Sequence, residues 1–294
     1  MIECVPNLSE GRDAAAVERI AAACRIPGVR QLDVHSDADH HRTVLTLVGD
    51  ADPLETCIVA LAQSAQREID LRRHAGVHPR VGALDVVPFV PLGRESMRVC
   101  ADLARRVGER IARETGIPVF LYGRAAEPPD SMTLAQLRRG GLAGLAGRME
   151  RGETRPDYGV ELHPTAGAVA VGARGLLVAY NVCLATRDLE LARRIARSVR
   201  ATEGGLAGVQ ALALALPRRR MIQISMNLTD PEATSLSNAF EAVAACAADA
   251  GVAVHSSEIV GLAPTWSIGP LDARALRLEE PLEGKLLERR LEAA

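Results

Sequence analysis

The runs VRQLDVHS (residues 29–36) and RTVLTLVG (42–49) are separated only by the polar turn DADHH. Strands joined by so short a link pair antiparallel, because a parallel crossover needs roughly a dozen residues or more. This one hairpin requires that at least one sheet of the fold contain antiparallel strands. Around it the pattern alternates. IECVPNLS reads as a strand leaving into a loop, residues 13–24 as an alanine-rich helix, and residues 53–69 as a helix with Leu54, Ile58, Leu61 and Ala62 on one face. ALDVVPFVPL is a buried strand, 94–115 a long amphipathic helix, and PVFLYG a further β-run, so the first half has β-β-α order. Residues 124–159, rich in proline, glycine and charge, read as a surface excursion with one short helix near 133–139. AVAVGARGLLVAYNVCL then predicts two strands about a turn at 172–175, and Thr186 begins a helix. VQALALALPRRRMIQISMNL predicts a hairpin turning at 217–220, followed by a helix at 231–250 and the strand VAVHSSEIVGL. The second half therefore has β-α-β-β-α-β order. The expected fold is α/β of the α+β kind: two ferredoxin-like subdomains, 1–174 and 175–294, each a mixed or antiparallel sheet with helices on its outer face. A doubly wound parallel sheet suits this order less well.

Several function classes are disfavoured by composition. A formal net charge of -2 offers no general basic field for nucleic acid, and 2% aromatic residues cannot build a stacking platform for single strands. No stretch reaches the roughly 18 apolar residues of a membrane span, and the start MIECVPNLSEGRD does not read as a leader, so a cytoplasmic protein is expected. Cys4, Cys24, Cys57, Cys100, Cys183 and Cys246 show no C-x-x-C spacing and are expected to be buried free thiols.

The stretch RHAGVHPRVGALDVVPFV (73–90) carries two histidines, two arginines and two glycines ahead of an apolar strand that needs none of them. His74 and His78 lie four apart, as a helical metal pair would, but Gly76 and Pro79 oppose a helix there, and adding His40 and His41 does not force a metal site. No Gly-x-Ser-x-Gly, P-loop or dinucleotide-binding fingerprint is present. What remains is His78 as a general acid/base: imidazole exchanges protons near neutral pH, Pro79 stiffens the turn, and Gly76 and Gly82 allow close approach of a substrate. The plain alternative is that His78 caps a turn while Arg80 pairs with an acid.

Five blocks, ECVPNLSEGRD, DADHHRTVLTLVG, HAGVHPRVGALDVVPFVPL, LHPTAGAVAVGAR and ISMNLTDPEATSL, taken in that order, resemble the formiminotransferase domain, that of glutamate formimidoyltransferases. The resemblance covers nearly the whole chain and leaves no room for the cyclodeaminase domain fused to it in vertebrates. It implies two α/β subdomains with a folate channel between them, usually in a homodimer. The implied reaction moves a formimidoyl group from N-formimidoyl-L-glutamate to the 5-nitrogen of tetrahydrofolate, with or without a polyglutamate tail and without a metal. The histidine of the His-Pro-Arg motif, here His78, is the implied catalytic group. The segment implied to bind folate contributes Asp157, Tyr158, Gly159, His163, Pro164, Thr165 and Gly167. Arg42 and Arg80 are candidates for carboxylates of glutamate or of the folate tail, because a guanidinium fork matches a carboxylate; a loop-tying role serves either equally well. Asn227 is a candidate for a pterin or amide edge, or for a strand-end role.

Two positions depart from the family pattern: His35 replaces the usual aspartate and His41 the usual asparagine. Both histidines are candidates to polarise the amidine or orient His78, so His41 joins the substrate-binding set. The loop 157–163 is also one residue short of the usual length. These departures keep two further readings open: a folate-dependent transferase using N-formylglutamate or a related donor, and a folate-binding protein without turnover.

Overall fold

In a computed structural model that describes residues 1–293, Pro6 splits the first strand into β1 (Ile2–Cys4) and β2 (Asn7–Leu8). Proline has no N–H to give to a ladder, so pairing lapses there and resumes one residue on. Its carbonyl still accepts from Leu45 N at 3.0 Å, and Val5 N reaches Pro88 O at 3.2 Å. The two pieces act as one strand.

By contacts the chain forms two units, Met1–Gly175 and a second beginning at Leu176. In the first, α1 (Ala14–Ala22) is opened by the Asp13 side chain, which accepts from Ala15 and Ala16 N–H. It is followed by β3 (Val29–Asp37), β4 (Arg42–Gly49), α2 (Ala51–Glu68), β5 (Leu84–Pro91), α3 (Met97–Thr115) and β6 (Val119–Gly123). Two further helices, α4 (Leu134–Leu137) and α5 (Gly141–Glu150), precede β7 (Val169–Ala173). Neighbours across the sheet run β3, β4, the broken β1/β2, β5, β7, β6, with β5, β7 and β6 mutually parallel and the other pairs antiparallel. With IECVPNLS counted as the leading strand, the first half also follows a split β-α-β-β-α-β course, extended by β6 and β7, rather than the β-β-α order expected.

The helices α1, α2 and α3 cover one face through Ile20, Leu54, Ile58, Leu61, Leu103 and Val107, each burial contributing about 1.5–3 kcal/mol. Not all helices take that face. On the opposite side Val86, Phe120, Tyr122 and Ala170 pack against Leu137 and Leu145 of α4 and α5. Strands β5, β6 and β7 are thus buried on both sides, which explains their apolar runs, broken only by Asp85 in β5.

Helix α5 is a second correction, since GLAGLAGRME was expected to be surface chain. Glycine disfavours a helix by about 1 kcal/mol per residue, but tertiary contacts override it. Leu145 is fully buried, and Arg148 donates to Leu137 O at 2.6 Å, capping the end of α4. A Cβ at Gly144 would stand 2.6 Å from Arg139 O, so the tight link from α4 into α5 uses the glycine. Residues 169–184 give the two strands expected of them: β7 joins the first sheet and β8 (Val178–Leu184) the second.

In the second unit β8 is followed by α6 (Leu189–Val199), β9 (Val209–Leu216), β10 (Met221–Leu228), α7 (Leu236–Asp249), β11 (Val254–Val260) and α8 (Leu287–Ala293). The sheet order is β11-β8-β10-β9, antiparallel throughout. Helices α6 and α7 seal its core around Tyr180, Ile195, Ile224 and Phe240. No helix of the described residues is long and apolar enough to cross a membrane.

Candidate functional site

Three connections meet at one end of the first sheet: the residues after β2, the β3–β4 turn, and the loop from α2 to β5. Gly11 makes the meeting possible, since a Cβ there would lie 2.4 Å from Asp37 O and 2.6 Å from Arg42 N. Glu10 then gathers the N–H groups of Gly11, Arg12 and Asp13 at 2.9, 2.7 and 3.0 Å, and the His41 Nε2 at 3.0 Å. Burial pushes the Glu10 pKa up, but the N–H groups of Asp13 and Arg12 and the nearby His41 bring it below its ordinary value.

Asp85 pins the loop that carries His78. It is 2% exposed inside β5; its Oδ1 accepts from Val81 N at 2.6 Å and Gly82 N at 3.1 Å, and its Oδ2 takes a hydrogen bond from Arg138, just after α4. Gly82 lies against the segment 166–168, where a Cβ would come within 1.9 Å of Ala168 O.

Within this frame Nε2 of His78 lies 2.8 Å from Arg42 Nη1. A guanidinium can only donate, so Nε2 is an acceptor and the neutral ring carries its proton on Nδ1. Burial first, then the positive charges of Arg42 and Arg138, with His40 and Arg80 adding to them, hold the His78 pKa well below the usual imidazole value. His78 is therefore in its base form at neutral pH, and Arg42 covers the lone pair.

Arg80 is used otherwise. It donates from Nη2 to His40 O and His78 O, each at 2.8 Å, and from Nη1 to His41 O at 3.1 Å and to the His74 ring. It ties the β3–β4 turn to the His78 loop, the loop-tying role weighed beside the carboxylate one. Burial, the larger effect, lowers its pKa to about 10. Gly76 admits this web, because a Cβ there would meet His40 O at 2.5 Å.

His41 and His74 stack, with ring centroids 3.8 Å apart. Burial and the Arg80 charge lower the His74 pKa to about 4. His41 sits at φ 51 and places its ring nitrogens near Glu10 and near Ala75 O at 3.2 Å. Both partners are acceptors, which would favour the imidazolium, yet burial holds the pKa below the ordinary value. The shorter Glu10 contact therefore takes the single proton of the neutral ring. His35 lies on β3 opposite Val44. The four histidines weighed as a metal set are all near this corner, but their ring nitrogens serve different partners. Among the described residues no group of three or more His, Cys, Asp or Glu side chains could hold a metal ion.

The 157–167 segment divides. Thr165 and Gly167 come beside the loop that carries His78: Leu71 N donates to Thr165 O at 2.9 Å, and Gly82 and Gly167 form an isolated bridge. His163 turns its Nδ1 into its own loop, accepting from Ala166 N at 3.0 Å, and Pro164 is exposed. Asp157 and Tyr158 instead bond to β6, with Asp157 Oδ2 accepting from Leu121 N at 2.7 Å, and Gly159 turns there at φ 82. Asn227 belongs to the second unit, exposed on β10. Sequence reasoning missed Glu10, Asp37, Asp85 and Arg138. A lone acid inside the apolar run ALDVVPFV was a usable signal for Asp85; nothing local marks Arg138.

The family model described as the formiminotransferase domain, N-terminal subdomain, matches residues 1–174, and that of the formiminotransferase domain matches 179–275. A glutamate formimidoyltransferase of Thermoplasma acidophilum is 42% identical over 100% of this chain and 98% of its own length. One from Streptococcus pyogenes serotype M1 is 40% identical over 95% of this chain and 94% of its own. The formimidoyltransferase-cyclodeaminase of Sus scrofa is 38% identical over 95% of this chain, which spans 53% of that relative.

Proposed function

The chain belongs to the formiminotransferase-domain family, and on that premise we propose that it transfers a formimidoyl group from N-formimidoyl-L-glutamate to the 5-nitrogen of tetrahydrofolate, with His78 as general acid/base. The observation that carries the role of His78 is the contact with Arg42, which requires a bare Nε2 and hence a neutral, basic ring. The acceptor's 5-nitrogen attacks the amidine carbon and gives its proton to Nε2. The tetrahedral adduct then expels the glutamate nitrogen, which takes that proton from the imidazolium. Protons balance, and the base is regenerated.

Arg42 must leave Nε2 before His78 can act. A substrate carboxylate is a stronger acceptor for a guanidinium than a neutral imidazole, so donor binding both anchors the substrate and uncovers the base. Thr165 and Gly167, beside the loop that carries His78, support a folate site along that segment. A polyglutamate tail on the folate, a homodimer and a cytoplasmic location belong to the same proposal, and rest on the family. The departure at His41 favours a test of N-formylglutamate as a second donor.

The deciding experiment offers each donor with tetrahydrofolate to wild type and to His78→Ala. Turnover of the formimidoyl donor that falls at least about a hundredfold in the variant supports the proposal. Preference for the formyl donor, or an active variant, overturns it.

A further inference from the structure

His40 is among the most enclosed polar residues of the first unit, 1% exposed. Its ring is held from one side only. Nδ1 lies 3.0 Å from Asp37 Oδ1, an oxygen that also accepts the His40 backbone N–H at 2.6 Å. Asp37 is itself 7% exposed. A carboxylate accepts, so Nδ1 carries the proton and Nε2 of the neutral ring is a bare acceptor. That Nε2 is buried and has no hydrogen-bond partner. Buried polar atoms are nearly always satisfied, so an orphan beside a reactive group calls for an explanation.

The neighbour is His78. The two rings meet edge to face, with centroids 6.1 Å apart and planes at 76°. During transfer His78 must carry two protons, and that cation would stand among Arg42, Arg138 and Arg80, which oppose it, as a charged His40 also would, so His40 can serve it only as a neutral ring. A general base in such surroundings needs an acceptor for its second N–H.

We propose that Asp37 and His40 are positioning residues for the reaction: His40, oriented by Asp37, turns its bare Nε2 to the His78 ring and accepts the Nδ1–H of His78 while Nε2 of His78 holds the transferred proton. No proton has to pass to His40. The carboxylate, through the intervening imidazole, steadies the cation and fixes the face that His78 presents, in the manner of an acid orienting a catalytic histidine. In the resting protein the ring centroids, 6.1 Å apart, leave the two nitrogens short of a hydrogen bond, so the contact forms only when His78 shifts toward His40 as Arg42 leaves its Nε2.

The inference rests on the proposed role of His78, and its test has one readout that does not need turnover. Ring ¹⁵N titration by NMR of wild type, His40→Asn and Asp37→Asn reports the protonation of His78 directly; the charged and titratable neighbours of that ring are Arg42, Arg138, His40 and Arg80, and that of His40 is Asp37. In both variants the protonation midpoint of His78 is expected to fall, and kcat to drop on the order of tenfold with the KM of each substrate nearly unchanged. A His78 midpoint unchanged in both folded variants overturns the relay, whatever happens to activity. Wild type without turnover, but with the midpoint lowered in the variants, would overturn the transferase reading and leave the Asp37–His40–His78 coupling standing.

Discussion

Arg42 Nη1 stands 2.8 Å from Nε2 of His78, and because a guanidinium has only protons to give, this contact defines the resting state of the imidazole. The base is neutral, its lone pair is occupied, and its proton is on the other nitrogen.

Removing that guanidinium should make His78 easier to protonate. Burial remains the main cause of its low pKa, but the next one, the charge of Arg42, is gone in Arg42→Ala. The acid limb of kcat/KM is expected to move to higher pH in Arg42→Ala and by less in Arg42→Lys. A limb that moves the other way would contradict the contact as read.

Asp85 holds three groups at once, so Asp85→Ala leaves Arg138 without its buried partner and two loop N–H groups without an acceptor. Breaking a buried pair from one side costs about 3–5 kcal/mol. Urea denaturation should show a loss of that order. Asp85→Asn, which keeps an acceptor for the loop, should lose less.

Gly82 has no space for a methyl group, because the atoms it would meet are backbone. Gly82→Ala is expected to destabilise by about 3 kcal/mol and to lower transfer by displacing the His78 loop. A variant as stable as wild type in urea would show that the 81–83 and 166–168 segments are not held in this register.

His74 makes stability depend on pH. Its folded pKa is about 4, whereas an unfolded histidine titrates near 6.5. Between those values the unfolded chain binds the extra proton, so stability present above about pH 6.5 declines as pH falls toward 4. Glu3 acts in the opposite sense: burial raises its pKa to about 7, so its contribution is present at low pH and is lost as pH rises through 7. The difference between wild type and His74→Gln removes the Glu3 background. The variant should lose less stability than wild type between pH 7 and 4 in thermal melts; parallel curves would count against a depressed His74.

What the sequence by itself determined was local or shared with a family. Period-2 and helical patterns located most strands and helices, including the start of α1 at Asp13, its cap. The His-Pro-Arg motif singled out His78, and five ordered blocks identified the family. These signals lie within a few residues of the chain and so survive without a fold. Tertiary structure decided the rest. That β7 lies parallel between β5 and β6, while β8 lies antiparallel between β10 and β11, is set only by partners distant in the chain. Helix α5 forms against its glycines because Leu145 and Arg148 find sites made by other segments. The protonation of His78, the use of Arg80 on carbonyls, and the joining of Asp85 to Arg138, 53 residues away, depend on burial and on charges brought together from separate parts of the chain. Desolvation and Coulomb energies are set by distance in space, and no local pattern carries that distance.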